Sequence, residues 1–197
     1  MDVKKPKVSR TIPCDEEESS VSLKKEENND EEIEHAVKLI HELYDAGIDG
    51  IIIQDMGLLE CSLPPVKLIA STQTENSSPE KVKFLEDCGF SRVILARELG
   101  LKEIGEIRRN TSVELEAFVH GAMCIAVSGR CFMSHHLFGK SANRGECIQP
   151  CRREFEVHDN AVDKSLIIGE DYIMSPQDLC TIEFVDQLIE AGIDSFK

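Results

Sequence analysis

The stretch LYDAGIDGIII, residues 43–53, ends one element and starts another. It closes the longer segment EEIEHAVKLIHELYDAG, in which Ile33, Val37, Ile40 and Tyr44 recur at intervals of four, three and four. That is the stripe of a helix packed on one side. Gly47 provides the left-handed residue that stops such a helix. The residues that follow, IDGIIIQD, are apolar and β-branched, as in strands buried on both faces of a parallel sheet. The phrase returns as LEDCGFSRVIL from Leu85 and as LIEAGIDSF from Leu188, each with Leu four residues before Gly89 or Gly192. A version without the glycine runs through LKEIGEIRRNTSVELEAFVHG, with Asn110 and Thr111 at the turn.

Helices alternating with strands at this spacing predict right-handed βαβ crossovers and a parallel sheet. Strands are expected near 50–54, 66–70, 92–96 and 113–119, with a weaker one at 7–12 and another beginning at 194. The rhythm suits a triosephosphate-isomerase-type barrel, which takes about 250 residues. The expectation is therefore a partial TIM-like (β/α) barrel, truncated at both ends, whose open edges invite a second chain. Residues 154–168 read as two β-like runs around a polar turn, an inserted β-hairpin. An acidic, mostly disordered segment with a possible first strand is expected over 1–30, and the partial barrel over 31–197, with a cysteine-rich loop at 120–153.

A net charge of −15 repels phosphate over most of the surface, so RNA would need a local basic patch. Much of the negative charge lies in residues 15–35, read as a solvated insertion leading into the first helix. No apolar run approaches the roughly 20 residues that span a bilayer. The basic amino terminus lacks the apolar core of a secretory signal. A cytoplasmic protein is the expectation, and eight cysteines in a reducing compartment point to metal binding or thiol chemistry over disulfides.

In parallel α/β folds the chemistry gathers beyond the carboxyl ends of the strands. Those positions hold Gln54 and Asp55; Ser71, Thr72 and Gln73; Arg97 and Glu98; Glu116 and His120. Arg97 is suited to a bidentate grip on carboxylate or phosphate, or to a salt bridge with Glu98. His120 and Glu98 are candidates for proton handling.

The cysteines run Cys124-x6-Cys131-x15-Cys147-x3-Cys151, with Cys180 further on. Only the 147–151 pair resembles a zinc knuckle. A nucleophilic Cys124 paired with His120 would leave the other thiols without a role. A [4Fe–4S] cluster asks for four thiolates on separate loops, nearby glycines and a partly dry pocket. Gly121, Gly129 and Gly145 beside apolar Ala122, Met123, Ile125 and Val127 suit that best by type and number. Cys88 reads as a core residue, and Cys14 and Cys61 as loop residues without a partner motif.

ELEAFVHGAMCIAVSGRCFMS, residues 114–134, resembles the signature of the peptidase U32 family through Glu116, Phe118, Gly121, Ala122, Met123, Cys124, Cys131, Met133 and Ser134. The likeness continues in IIIQDMGLL, ASTQ, VILAREL, NRGECIQPCR, SPQDLC and LIEAGIDSFK, and covers roughly residues 36–197. The resemblance implies a TIM-like barrel and an oxygen-independent hydroxylation built on an iron–sulfur cluster. The implied substrates are transfer RNA, ribosomal RNA or a ubiquinone precursor, with prephenate, a small dicarboxylate, as co-substrate. It implies Cys124, Cys131, Cys147 and Cys180 as ligands, the last at the start of a helix, with Cys151 in reserve. Arg97, His120 and Glu98 then serve the chemistry, and Arg144, Arg152, Arg153 and Gln73 the substrate. The family's older label is collagenase-like protease, so a peptidase is the rival reading, and an inactive piece of the barrel is a third.

Overall fold

The computed structural model describes residues 8–13, 18–22, 30–159, 161, 164–168, 174, 175 and 177–197. Strands β1 (Val8–Pro13) and β2 (Glu18–Ser22) precede helix α1 (Asp30–Asp45). There follow β3 (Gly50–Ile53), β4 (Lys67–Ala70), α2 (Pro79–Asp87), β5 (Arg92–Ile94), α3 (Leu101–Asn110) and β6 (Glu114–Ala117). The chain continues through β7 (His120–Ala122), α4 (Met133–Phe138), β8 (Phe155–Asp159), β9 (Lys164–Ile168), β10 (Asp178–Cys180), α5 (Val185–Ala191) and β11 (Ser195–Phe196).

The strands β2, β3, β4, β5, β6 and β11 are parallel neighbours in that order. The expected strands at 50–54, 66–70, 92–96, 113–119 and 194 are all members. The weak strand at 7–12 is β1, which runs antiparallel to β11 on one side and to β2 on the other. The edges expected to stay open are thus both paired with β1. Strand β2 was not foreseen: the polar run ESSVS shows no strand pattern, and it pairs Ser20 with Gly50 across to β3. The other residues of the acidic 1–30 segment, Cys14 among them, lie outside the described residues apart from β1 and Asp30. The expected hairpin is β8 paired antiparallel with β9, from Phe155↔Ile168 to Asp159↔Lys164.

Alternation along the strands gives the sheet two different faces. Ile51, Ile53, Ala70, Val93, Leu95 and Leu115 face the helices and join Ala36, Ile40, Val82 and Ile104 in the main core. Ile52, Ile69, Ile94 and Phe118 form a smaller cluster on the opposite face. On α1 the buried residues are Ala36 and Ile40, whereas Tyr44, assigned to the stripe, is 39% exposed. Gly47, Gly89 and Gly192 have φ of +84°, +95° and +102°, the left-handed stop that the repeated phrase predicts.

One buried amide ties two strand ends together. Asn76 is 0% exposed, and its Nδ2 donates to the Ser71 carbonyl at 2.8 Å and to the Ile94 carbonyl at 2.7 Å. Its Oδ1 accepts from Thr74 Oγ1 at 2.6 Å. Asn76→Ala removes the amide that links the Ser71 and Ile94 carbonyls and leaves a cavity in the buried turn, and is expected to cost about 1–3 kcal/mol, read as a lower urea midpoint with an unchanged m-value.

Glu86 on α2 does similar work outside. It accepts from Ser112 N at 3.0 Å, Thr111 Oγ1 at 2.9 Å and Lys83 Nζ at 3.0 Å, and also from Ser112 Oγ. These bonds, that of Ser112 first, hold its carboxyl down to about 2. A pKa below the unfolded value of about 4.3 adds stability above that pH, which is lost as pH falls toward 2. Glu86→Gln should therefore lower Tm at pH 7, and the difference from wild type should shrink across that window.

Candidate functional site

The face of the sheet away from the helices carries charge at its centre. Glu116 on β6 is 0% exposed, with Arg92 Nη1 3.4 Å from Oε2 and Lys197 Nζ 3.4 Å from Oε1. Burial pushes its carboxyl pKa up, and Lys197 and Arg92 pull against that shift. Arg92 is held in turn by Glu114, at 2.9 Å from Nε and 2.7 Å from Nη2. Ser195, opposite Glu116 on β11, is buried, and its hydroxyl makes no hydrogen bond among the described residues.

Toward the strand ends, two cations approach the Phe118 ring, Arg97 at 3.9 Å and Lys197 at 5.9 Å from its centroid. Arg97 Nη1 donates to the Ala122 carbonyl at 3.1 Å. Burial lowers the guanidinium pKa, while the neighbouring Cys124 and Glu98 act in the opposite sense. The Arg97 side chain thus joins the barrel-like interior to the beginning of the cysteine loop.

That loop is closed by a clasp. Strand β7 pairs antiparallel with β10, setting Asp178 opposite Ala122, Leu179 opposite Gly121 and Cys180 opposite His120. Thr181 N donates to Val119 O at 3.0 Å and Met123 N to Gln177 O at 3.3 Å, extending the clasp at both ends. Within the enclosed excursion, Gly129 (φ +78°) rests against the Gln73 carbonyl, where a Cβ would collide with the carbonyl oxygen. Thr72 Oγ1 is 3.4 Å from Ser128 Oγ and donates to Leu95 O at 3.3 Å. The cysteine loop is therefore seated on the turns that follow β4 and β5.

Four thiols of the loop act on one another's charge. Burial raises the pKa of Cys151, and so do the neighbouring sulfurs of Cys124, Cys147 and Cys131. Cys147 Sγ accepts from Gln149 N at 3.4 Å and from Ser134 Oγ at 3.8 Å. All seven described cysteines are free thiols, so no disulfide joins them. Among the described residues, no group of three or more His, Cys, Asp or Glu side chains is placed to hold a single metal ion. A mononuclear zinc knot draws no support from this.

Several sequence expectations need revision. Cys180 ends a strand, not the start of a helix, because its backbone is committed to the clasp; α5 begins only at Val185. Cys151, the reserve candidate, has Cys124, Cys131 and Cys147 as electrostatic neighbours. His120 lies in extended β7, so the helical turn that would bring it onto Cys124 does not form. Glu98 is exposed next to Arg97. Of the arginines assigned to substrate, Arg144 pairs with Glu32, and Arg152 with Asp178 at 2.9 Å and Ser175 Oγ at 3.4 Å. Arg153 is exposed and stacks on Phe138 at 4.7 Å. Gln73 meets the cysteine loop through its backbone. Cys88 packs against the main core, as expected, and Cys61 Sγ donates to Gly57 O at 3.6 Å. Sequence reading passed over Glu116, Lys197 and Phe118 as a unit; the available signal was a glutamate inside the otherwise apolar ELEAF.

The sequence profile of Peptidase family U32 matches residues 26–197. The chain belongs to this family. Among curated U32-like relatives, it is 44% identical over 170 residues to "23S rRNA 5-hydroxycytidine C2501 synthase" of Escherichia coli, covering 86% of this chain and 26% of that protein. It is 42% identical over 162 residues to "tRNA hydroxylation protein P1" of Bacillus subtilis, covering 79% and 38%. It is 36% identical over 184 residues to "Collagenase" of Porphyromonas gingivalis, covering 85% and 43%. The U32 chain thus spans between about a quarter and less than half of these relatives' length. A solved structure titled "The Structure of the U32 Peptidase Mk0906" gives a TM-score of 0.49 at 18% identity, over 76% of this chain and 62% of that one.

The seat of the U32 cysteine loop can be tested through one atom. Gly129→Ala puts a methyl group into the Gln73 carbonyl and strains a left-handed backbone. The far-UV circular dichroism should be retained, while Cys124 and Cys131 are alkylated several-fold faster by iodoacetamide.

Proposed function

We propose that this U32 chain carries the cysteine centre and strand-end face of an oxygen-independent RNA hydroxylase, which replaces a pyrimidine C–H by C–OH. The observation that carries the reading is that Cys124, Cys131 and Cys147 all lie near enough to Cys151 to act on its charge, at the end of a loop seated on the turns after β4 and β5. The names of the Escherichia coli and Bacillus subtilis relatives support RNA as the substrate. We place the chain within a TIM-like barrel and the protein in the cytoplasm; no helix among the described residues is long and apolar enough to cross a membrane.

Four thiols, a backbone N–H on Cys147 Sγ and a serine hydroxyl on the same sulfur fit a [4Fe–4S] cluster by donor type and number. Such a cluster, when bound, supplies one-electron chemistry. Cys124, Cys131 and Cys147 would hold it, with the fourth thiolate from Cys151 or from Cys180 in the clasp. Arg97 gives one of its five donors to Ala122 O, and the others suit the carboxylate of a small dicarboxylate oxygen donor of the prephenate type. Phe118 fixes the plane of that guanidinium. Lys197, paired with the buried Glu116, also approaches that ring.

Anaerobically purified protein is expected to be brown and to contain about four iron and four sulfide per chain. Cys124→Ser should abolish that content. Of Cys151→Ser and Cys180→Ser, the one that empties the site identifies the fourth ligand. Mass spectrometry of ribosomal and transfer RNA from cells with and without the gene should show loss of a 5-hydroxypyrimidine. Colourless protein that cleaves collagen or casein, and stops doing so as Cys124→Ala, would instead establish the peptidase.

A further inference from the structure

The short helix α4 leaves the cysteine loop with its apolar side uncovered. Phe132 at its cap is 67% exposed and Phe138 at its end is 45% exposed. His135, midway between them, is also exposed. The spacing i, i+3, i+6 sets the three rings in a stripe about 9 Å long within an arc of about 120°. Water-exposed phenylalanine gains nothing for the fold, since its contribution comes from burial. At the far end of the stripe, Arg153 lies over the Phe138 ring at 4.7 Å. At the near end, Phe132 follows Cys131 directly, and Ser134 on the first turn donates to Cys147 Sγ.

The charge of this segment is opposite to that of the chain. Residues 120–153 contain Arg130, Lys140, Arg144, Arg152 and Arg153 against the single acid Glu146, a local charge of +4 within a chain of −15. Most of these cations already face carboxylates: Arg130 pairs with Glu75 at 2.5 Å, Lys140 with Glu146 at 3.4 Å, Arg144 with Glu32 and Arg152 with Asp178. Arg153 has the aromatic ring as its partner. A strand engaged here would be held by its bases, with few phosphate contacts.

We propose that Phe132, His135 and Phe138, with Arg153 stacked on the last, form a platform on which unpaired bases of an RNA strand stack beside the cysteine centre. The inference rests on the RNA reading given above and names the part of the surface that takes the strand. Unstacked bases pair their faces with aromatic rings and guanidinium planes, whereas the faces of duplex bases are already covered. The platform therefore selects single-stranded segments. Its affinity depends only weakly on salt, because four of the cations in residues 120–153 already face carboxylates.

The test is fluorescence anisotropy of the full chain with a labelled 12-nucleotide pyrimidine-rich RNA, single-stranded or annealed, at several salt concentrations. Wild type should prefer the single strand, with a shallow salt slope. Phe132→Ala and Phe138→Ala should each weaken binding about tenfold, and Phe138→Trp should restore it, with iron content and circular dichroism unchanged throughout. If wild type binds the single strand but both alanine variants bind equally well, the platform is wrong and the RNA reading stands. A steep salt slope with no preference for single strands overturns the platform in the same way. If wild type binds no RNA, the RNA reading falls and the platform with it.

Discussion

The cysteine loop keeps its place because the carbonyl oxygen of Gln73 occupies the space where any side chain at position 129 would stand. That backbone-on-backbone contact sets Cys124 and Cys131 at a fixed height above the turns after β4 and β5. The turns themselves are fixed by Asn76, whose amide joins the carbonyls of Ser71 and Ile94. Sheet, turn and loop are thus joined by a chain of short contacts, from the Asn76 amide through Thr72 and Ser128 to Gly129. The thiols inherit their positions from it.

Beneath the loop, the interior is arranged around a carboxylate that burial disfavours and two cations that favour it. Glu116 would be expensive among Ile52, Ile69 and Ile94 without Arg92 and Lys197. The arrangement also holds Lys197 near Phe118, the ring over which Arg97 lies. A charge near the middle of the sheet thereby helps decide how a guanidinium is presented at its end.

The repeated helix–glycine–strand phrase made the sheet legible, because both periodicities and the left-handed stop are local properties of the chain. Strands β3, β5, β6 and β11 follow from it, while β4 and the β8–β9 hairpin are legible from their own β-like runs. Strand β2 has no such signal: ESSVS becomes a strand only through its pairing with Ile51 and its neighbours. The same is true of β7 and β10, three residues each, whose partners lie nearly sixty positions apart. Missing that pairing put Cys180 at a helix start. The arginines were chosen by proximity in sequence, and Glu32 and Asp178, which engage Arg144 and Arg152, are distant from them along the chain. Residue types announced the thiol chemistry; which sulfurs meet is decided by contacts that no local pattern encodes.

The clasp of β7 with β10 has a consequence for how such proteins diversify. It brings the two ends of a long excursion together on the sheet, so the cost of closing that excursion grows only slowly with its length. Segments inside it, such as the β8–β9 hairpin, can lengthen, shorten or be exchanged while the strands below keep their register. New specificities can arise inside the clasp without rebuilding the scaffold that carries it.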